Sequence, residues 1–271
     1  MEQGPPDELW ILKPSVTNKG AEVLVVRDFA PVRETLLAWQ DVREWVLQAY
    51  VARPLLFQGR KFHLRAYVLA VGDLTVYMWR RVLLLSSAVP YDAHDLANQL
   101  AHITNTVRQA DGLGRGFRED ACVHLLEDLV DDLREDRGYS AERARACVRA
   151  MLAGMEAVTG ELFRALQGER TVFAPMPQGF ELFGLDFLVS LPEGDEEPRV
   201  HLLEVNPGPD FKQSGCRLRG VVRGLLEAAL DVAVLGEAPP ANLAVVYEDT
   251  EAGAGFGRAA QAGGGMRLLS G

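Results

Sequence analysis

Short runs of alternating apolar and polar residues dominate the first third of the chain and return near its end. They cover residues 10–12, 22–26, 45–50, 61–70, 74–79, 82–85, 183–189 and 200–206. Runs of this kind bounded by turn residues are typical of β-strands. The pattern therefore predicts mostly antiparallel sheets, with the last two runs paired as a long-looped hairpin.

Between the two groups of strands, apolar residues recur at spacings of three and four. This period predicts amphipathic helices over residues 122–133 and 148–166, with Ser140 as a candidate N-cap. A last helix is predicted over residues 218–235 and ends at Gly236. Strands at both ends with helices between them indicate the α+β class.

Composition and charge narrow the class of protein. The 271 residues are 48% hydrophobic and carry a formal charge of -10. A sizeable core is therefore expected, and broad attraction to nucleic acid or anionic membranes is not. Three widely spaced cysteines and the absence of a leader-like N-terminus favour a cytosolic protein. We expect a folded unit over residues 1–235 and a disordered Ala/Gly-rich tail over residues 236–271.

The strongest chemical pattern lies in the predicted hairpin. Asp186 interrupts one apolar strand, while Glu204 and Asn206 share one face of the other. A turn centred near Asp195 puts Asp186 opposite Glu204, where two carboxylates repel unless a positive group lies between them. Two carboxylates and an amide oxygen are ligands that suit Mg²⁺. The alternative is a slipped register with both carboxylates in solvent at a sheet edge.

A cationic stripe is predicted on the strand over residues 61–70. Alternation places Lys61, His63 and Arg65 on one face. Lysine suits phosphate oxygens, and the planar guanidinium of arginine suits a carboxylate. The solvated outer face of a sheet has the same pattern, so the residues alone leave both interpretations open.

Three weaker patterns surround these two. Lys13 ends a strand that runs into a small-polar loop closing on Lys19-Gly20, where backbone amides can cradle phosphates. An ordinary hairpin loop has the same composition. The other two patterns offer groups to a nucleotide base or to phosphates, and equally fit a strand end and a helix end: Gln48-Ala49-Tyr50-Val51 and His102-Ile103-Thr104-Asn105.

Six segments in order resemble the motif series of the tubulin-tyrosine-ligase-like family. The segments cover residues 10–14, 48–50, 60–65, 102–105, 183–187 and 203–206. The variant Lys-Phe-His-Leu-Arg, together with residues 210–215, is similar to the fungal, P-body-associated branch. A series of six motifs is far more specific than any one of them.

The resemblance implies an ATP-grasp fold with ATP and Mg²⁺ between two sheets. It assigns Lys13 and Lys61 to the phosphates, with Thr104 and Asn105 near them. The segment Gln48-Ala49-Tyr50-Val51 is assigned to the adenine, and Asp186, Glu204 and Asn206 to magnesium. Arg65 and Arg80 are assigned to the acceptor carboxylate.

The implied activity is that of an ATP-dependent carboxylate–amine ligase. It would join a free amino acid, of the tyrosine or glutamate type, to a protein such as tubulin through an acyl phosphate. The other hypothesis is a non-catalytic nucleotide-binding or scaffold module, including one in RNA-granule assemblies. Two departures from the family pattern favour the second hypothesis: His63 stands where many members carry aspartate, and the family's N-terminal region is expected to be lacking.

Overall fold

A small antiparallel sheet begins the fold of this computed structural model, which describes residues 9–15, 23–51, 53–169, 173–191, 197–209, 211 and 218–249. Its central strand, β1 (Trp10–Pro14), pairs with β2 (Leu24–Val26) on one side and β3 (Trp45–Ala49) on the other. A helix that the sequence pattern did not predict, α1 (Phe29–Ala38), connects β2 and β3. Only Val32 of α1 is buried, so its apolar period is weak.

The main sheet has eight strands, and all of its pairings are antiparallel. Its strands are β4 (Leu56–Phe57), β5 (Arg60–Val71), β6 (Thr75–Trp79), β7 (Leu83–Ser86), β8 (Val123–Leu125), β9 (Phe180–Ser190), β10 (Arg199–Pro207) and β11 (Leu243–Glu248). The order is β10-β9-β5-β6-β11, with β4 and β7 also paired to β5 and β8 paired to β7. The long central strand β5 therefore contacts most of the sheet.

One face of the main sheet packs against α4 (Leu129–Arg137) and α5 (Ala141–Leu166). Alternate β5 residues, including Phe62 and Leu64, enter this core together with Leu185 and Phe187 of β9. Ser140 caps α5 as predicted, since its side chain accepts a hydrogen bond from the Arg143 amide at 3.1 Å.

The opposite face is covered at one end by α6 (Arg219–Ala233). Leu225 and Ala229 of α6 pack with Tyr67 and Leu69 of β5 and with Trp79 of β6. Toward the start of β5 the same face carries polar residues instead, next to two short helices, α2 (Gln99–His102) and α3 (Thr106–Leu113). This uncovered end is where the candidate site lies.

Two predicted segments differ in the structure. Residues 123–125, expected to begin a helix, form the strand β8, because they pair with β7 before the chain turns into α4. Within the predicted tail, residues 243–248 form the strand β11, because its edge position on β6 buries Leu243. Residues 250–271 lie outside the described part of the chain. Among the described residues, no helix is long and apolar enough to cross a membrane.

Helix α5 and strand β11 approach each other closely at Gly160. A Cβ at this position would lie 2.5 Å from the Val246 carbonyl oxygen, a backbone atom that cannot move alone. Gly160→Ala is therefore expected to lower the free energy of unfolding by about 1–3 kcal/mol in urea titrations. Gly220→Ala in α6 is the matched control, because its added Cβ meets open space. It should stabilise by up to about 1 kcal/mol. Equal effects of the two variants would contradict the close α5–β11 contact.

Candidate functional site

Three charged side chains form a row across three adjacent strands of the main sheet. Arg65 of β5 lies opposite Asp186 of β9, and Asp186 lies opposite Glu204 of β10. Residues paired in this way project to the same face of a sheet. The register confirms the sequence prediction that Asp186 faces Glu204, and the slipped alternative is excluded.

Arg65 and Asp186 form a buried bidentate ion pair. The Nε and Nη2 groups of Arg65 donate to Oδ1 and Oδ2 of Asp186, the second at 2.7 Å. Their side chains are only 5% and 7% exposed. The sequence predicts a divalent cation that relieves the repulsion between Asp186 and Glu204. In the structure the guanidinium of Arg65 already neutralises Asp186, so this repulsion alone does not require a metal.

Glu204 and Asn206 lie at the outer end of the row. The Asn206 amide donates to Glu204 Oε1 at 3.1 Å. Burial, followed by the neighbouring Asp186 carboxylate, raises the pKa of Glu204 above its usual range, although part of the side chain reaches solvent. The described residues contain no group of three or more Asp, Glu, His and Cys side chains that could hold a metal. A magnesium ion here would need Asn206 and ligands from water or phosphate, which is the usual situation for Mg²⁺.

A β-bulge connects the row to the small sheet. The register of β10 against β9 shifts between Leu202 and Glu204, which leaves Leu203 without a partner on β9. Its carbonyl oxygen accepts from Lys13 Nζ at 3.5 Å. The bulge therefore directs a backbone acceptor toward β1, and it brings Lys13 to the residue that precedes Glu204.

Lys61 is buried without a carboxylate partner. It is 5% exposed, its Nζ donates to the Tyr50 hydroxyl at 2.9 Å, and it lies 4.2 Å from the centre of the Tyr50 ring. Within the described part of the chain, no carboxylate lies at ion-pairing distance from Lys61. Burial lowers the pKa of Lys61 to about 7. The solvated-face interpretation of the cationic stripe is wrong, since Lys61, His63 and Arg65 are all buried.

His63 occupies the middle of the buried stripe as a neutral imidazole. Its Nδ1 lies 2.7 Å from Thr104 Oγ1, and its Nε2 lies 4.0 Å from Asp186 Oδ1. Burial, with help from the Arg65 charge, lowers the pKa of His63 to about 3. His63 can therefore exchange hydrogen bonds here but contributes no charge near neutral pH.

Asn105, which the resemblance assigned to the nucleotide, caps a helix. Its Oδ1 accepts from the amides of Val107 and Arg108, at 3.0 and 3.2 Å, at the start of α3. This arrangement fixes the preceding Thr104 against His63. The hydroxyl of Thr104 therefore lies beside the buried stripe Lys61, His63 and Arg65, and the amide oxygen of Asn105 already has partners.

The structure does not place the remaining predicted site residues in the row of Arg65, Asp186 and Glu204. Gln48 and Ala49 are exposed on β3, and Val51 is half-buried beside the buried Tyr50. Lys19 and Gly20 lie outside the described residues. Arg80 is not brought to the row, because its Nε donates to Glu156 of α5 at 2.7 Å, on the opposite face of the sheet.

Gly184 leaves space for the Arg65 side chain. A Cβ at Gly184 would lie 3.3 Å from Cδ of Arg65 and 3.0 Å from Pro209 Cβ. The aliphatic part of Arg65 therefore crosses the sheet directly above a position that has no side chain. This packing explains why a glycine stands two residues before Asp186 in the apolar strand.

Two residues near Lys61 were not identified from the sequence. Tyr91 and His102 both contact the Tyr50 hydroxyl, at 3.3 and 2.9 Å. His102 belongs to a segment, residues 102–105, for which the sequence predicts hydroxyl and amide groups near phosphates or a helix end, with no task for the imidazole, and Tyr91 falls in no predicted pattern. No periodic pattern relates residues 50, 91 and 102, so only the tertiary fold reveals the cluster.

Several known proteins have sequences similar to that of this chain. The sequence profile of the tubulin-tyrosine ligase family matches residues 1–242. A probable tubulin–tyrosine ligase of Schizosaccharomyces pombe is 32% identical over 198 residues, which is 72% of this chain and 43% of that protein. The probable tubulin–tyrosine ligase PBY1 of Saccharomyces cerevisiae is 27% identical over 271 residues, which is 84% of this chain and 33% of that protein. The chain thus spans less than half the length of these curated relatives.

The fold also matches a solved structure. The C-terminal domain of K. lactis Pby1, described as an ATP-grasp enzyme interacting with the mRNA decapping enzyme Dcp2, superposes with a TM-score of 0.57 at 25% identity. The match covers 90% of this chain and 63% of that one. The expected α+β architecture with antiparallel sheets is confirmed, as is the resemblance to the fungal branch. The chain belongs to the tubulin-tyrosine ligase family.

Proposed function

We propose that this chain binds MgATP and acts as a carboxylate–amine ligase on a protein acceptor. The reaction would add an amino acid of the tyrosine or glutamate type to a protein such as tubulin through an acyl phosphate. The observation that carries the proposal is the burial of Lys61, which has no carboxylate partner among the described residues and lies on the same sheet face as Asp186 and Glu204. Cations beside carboxylates suit a ligand made of phosphates and a metal ion.

Lys61 would bind a phosphate of ATP. An ammonium group taken out of water is unfavourable unless an anion or a set of acceptors replaces its hydration. Its protein partners in the structure are the Tyr50 hydroxyl and ring, which are neutral. An anionic ligand would therefore complete its environment, and Lys13 at the bulge would add a second cation from the small sheet.

Glu204 and Asn206 would hold the magnesium ion, and Asp186 would add a second lone pair of one of the oxygens that accept from Arg65. All of these donors are hard oxygens, so the set fits Mg²⁺ and does not resemble a zinc site. When bound, MgATP would supply the phosphoryl group that activates the acceptor carboxylate. The side chains of this chain would position the reactants and stabilise negative charge.

Arg65 would orient the acceptor carboxylate. The two bonds to Asp186 leave further N–H groups of the guanidinium unused. Asp186 in turn fixes the plane of the guanidinium, which makes Arg65 a preorganised donor. His63 lies next to both residues and is neutral, so it would contribute hydrogen bonds and shape at the point where the incoming amine arrives.

A second candidate function is an interaction module that binds nucleotide without catalysis. Two observations favour it: Asp186 is already neutralised by Arg65, and the solved Pby1 domain is described as interacting with the decapping enzyme Dcp2. Under this function MgATP would stabilise a protein-binding form of the chain. A protein partner then takes the place of the acceptor, and no amino acid is transferred.

Thermal unfolding of the purified chain tests the nucleotide site. Saturation at about 100 times the dissociation constant stabilises a fold by about 2.7 kcal/mol, which is readily measured. We expect stabilisation by ATP with magnesium that is absent with magnesium alone and with ATP plus chelator. Absence of any stabilisation in a folded sample counts against both candidate functions. Transfer of a labelled amino acid to tubulin or a cell extract then separates the ligase from the interaction module.

Glu204→Gln tests the metal assignment. The amide keeps the shape of the side chain but removes a carboxylate, so magnesium-dependent ATP binding is expected to weaken by tenfold or more. The free variant should be slightly more stable than the parent near pH 7. The raised pKa of Glu204 means that its ionisation is unfavourable in the folded state, and this penalty grows as the pH rises through that pKa.

Asn242→Asp serves as the control for a charge change elsewhere, since Asn242 lies in the turn before β11. Calorimetric titration with MgATP measures the affinity of the parent, of Glu204→Gln and of Asn242→Asp. Unchanged magnesium-dependent affinity in Glu204→Gln rules out the metal assignment.

A further inference from the structure

A hydrogen-bond network behind Lys61 centres on the Tyr50 hydroxyl. The Tyr50 oxygen lies 2.9 Å from Lys61 Nζ, 2.9 Å from His102 Nδ1 and 3.3 Å from the Tyr91 hydroxyl. The His102 ring also packs edge-on against both tyrosine rings. Four segments of the chain therefore meet at one buried oxygen: the end of β3, strand β5, the β7–α2 connection and helix α2.

The direction of each hydrogen bond follows from the contact that His102 makes through its other ring nitrogen, Nε2. Its Nε2 lies 3.0 Å from the carbonyl oxygen of Asp95, which can only accept. Burial lowers the pKa of His102, so the ring is neutral and carries its proton on Nε2. Nδ1 is then an acceptor, and the Tyr50 hydroxyl donates to it. The Tyr50 oxygen is left to accept from Lys61.

We propose that Tyr50 and His102 are positioning residues that hold the Lys61 ammonium against the phosphate-binding face of the sheet. The proposal rests on the nucleotide site described under the proposed function. His102 fixes the orientation of the Tyr50 hydroxyl, and the hydroxyl in turn directs an oxygen lone pair at Lys61. The ring of Tyr50 adds a favourable cation–π contact.

The network also gives Tyr50 a different task from the one that the motif suggested. The family resemblance assigns residues 48–51 to the adenine. Backbone groups alone are sufficient to bind an adenine edge. The side chain of Tyr50 is buried and engaged by Lys61 and His102. Tyr50 directly follows β3 of the small sheet, and Lys61 belongs to β5 of the main sheet. The network therefore connects the two sheets at Lys61.

In the part of the chain that the structure describes, four titratable groups lie near Lys61. They are Tyr50, Tyr91 and His102, together with His63 two residues along β5. His63 and His102 are neutral near pH 7, and burial raises the pKa of Tyr50 beyond any physiological value. The Tyr50 oxygen is therefore the main acceptor that favours the charged form of Lys61 in the free protein.

Nuclear magnetic resonance of the free chain tests the network without any nucleotide. The sequence has only four lysines, Lys13, Lys19, Lys61 and Lys212, and five histidines, so side-chain signals are readily assigned. We expect His102 to carry its proton on Nε2 in the ¹⁵N spectrum. Tyr50→Phe should lower the titration midpoint of Lys61 by about one pH unit, because the charged form loses an acceptor. An unchanged midpoint overturns the proposal.

MgATP affinity measured against pH provides the second test. Tyr50→Phe and His102→Leu are each expected to weaken binding about tenfold near pH 7 and to shift the loss of binding to lower pH. His102→Asn should recover most of the affinity, because its Oδ1 can replace Nδ1 as the acceptor. Tyr77→Phe on β6 is the control for removal of a hydroxyl and should bind as the parent does.

The outcomes distinguish failure of the proposed MgATP site from failure of the positioning role of Tyr50 and His102. A parent chain that does not bind MgATP overturns the proposed function, while the spectra of the free chain still decide the network. A parent that binds, with a Tyr50→Phe variant of equal affinity and equal pH dependence, overturns the positioning role alone. Equal losses in His102→Asn and His102→Leu also count against it, because simple loss of packing then explains both.

Discussion

Lys61→Met is expected to stabilise the free protein while weakening MgATP binding on the order of 100-fold, the size expected for a lost charged hydrogen bond. Methionine is unbranched like lysine, and its sulfur packs well against an aromatic ring such as that of Tyr50. Removing a buried ammonium that has no carboxylate partner among the described residues should raise the free energy of unfolding by about 1–3 kcal/mol. The variant therefore separates the effect of Lys61 on stability from its effect on MgATP affinity.

The pH dependence of this gain has a definite sign. The pKa of Lys61 is about 7 in the folded chain and 10.5 in the ordinary reference, so the unfolded chain binds more protons between these values. The penalty of Lys61 is complete below pH 7 and declines as the pH rises toward 10.5. The stabilisation by Lys61→Met should therefore be largest at pH 6 to 7, as estimated from these values, and fade in alkaline buffer.

Urea titrations at several pH values measure the effect, with Lys13→Met as the stability control. Lys13 is only half-buried, so its replacement should change stability by less than about 0.5 kcal/mol at every pH. A Lys61→Met chain that is less stable than the parent at pH 6 means that the ammonium contributes favourably in the free fold. The interpretation of Lys61 as an incomplete anion site then fails.

Local alternation predicted the parts of the site that lie within single strands or one hairpin. The common face of Lys61, His63 and Arg65 follows from the period of two, and the opposition of Asp186 and Glu204 follows from the hairpin register. These relations depend on neighbours along the chain, so the sequence determines them directly.

Relations between distant segments were not predictable in the same way. Strand order decides that β5 lies beside β9, and only this order brings Arg65 to Asp186. Likewise, the bulge at Leu203 and the meeting of Tyr91 with His102 depend on packing that has no local pattern. The sequence therefore predicts the carboxylates and Arg65 as site residues, but it does not predict that Arg65 neutralises Asp186.

Segments with weak or mixed periods were the ones misassigned from the sequence. Residues 123–125 fit a helical spacing, yet their backbone pairs with β7, because a sheet edge was available there. Residues 243–248 follow an Ala/Pro-rich stretch, and they were therefore grouped with the tail. They pair with a strand, β6, that lies 164 to 173 positions earlier, and no local window of the sequence contains both partners.

Arg65→Met is expected to destabilise the chain by about 3–5 kcal/mol, a large share of the total for a typical domain. The variant leaves Asp186 buried without its counter-ion and next to a second carboxylate, Glu204. Urea titrations of the variant and of the parent measure the difference in the free energy of unfolding.

Two further variants show what the ion pair contributes. Arg65→Met combined with Asp186→Leu removes both charges, and it should recover most of the lost stability, because an apolar pair fills the same space without desolvation. The surface pair Arg80–Glu156 is the matched control, since Arg80 is 43% exposed and its pair also connects the sheet to another element. Arg80→Met should cost less than about 1 kcal/mol.

The same variants decide whether the pair exists for function. If the double variant is as stable as the parent but no longer binds an acceptor carboxylate, folding does not need the pair and the site does. Arg80→Met should keep its affinity for MgATP and for acceptor, because Arg80 lies with α5 on the other face of the sheet. Loss of acceptor binding in Arg80→Met, with Arg65→Met unaffected, would reverse the roles of the two arginines. A charged pair that is buried, dispensable for folding and required for binding is what a preorganised carboxylate site demands.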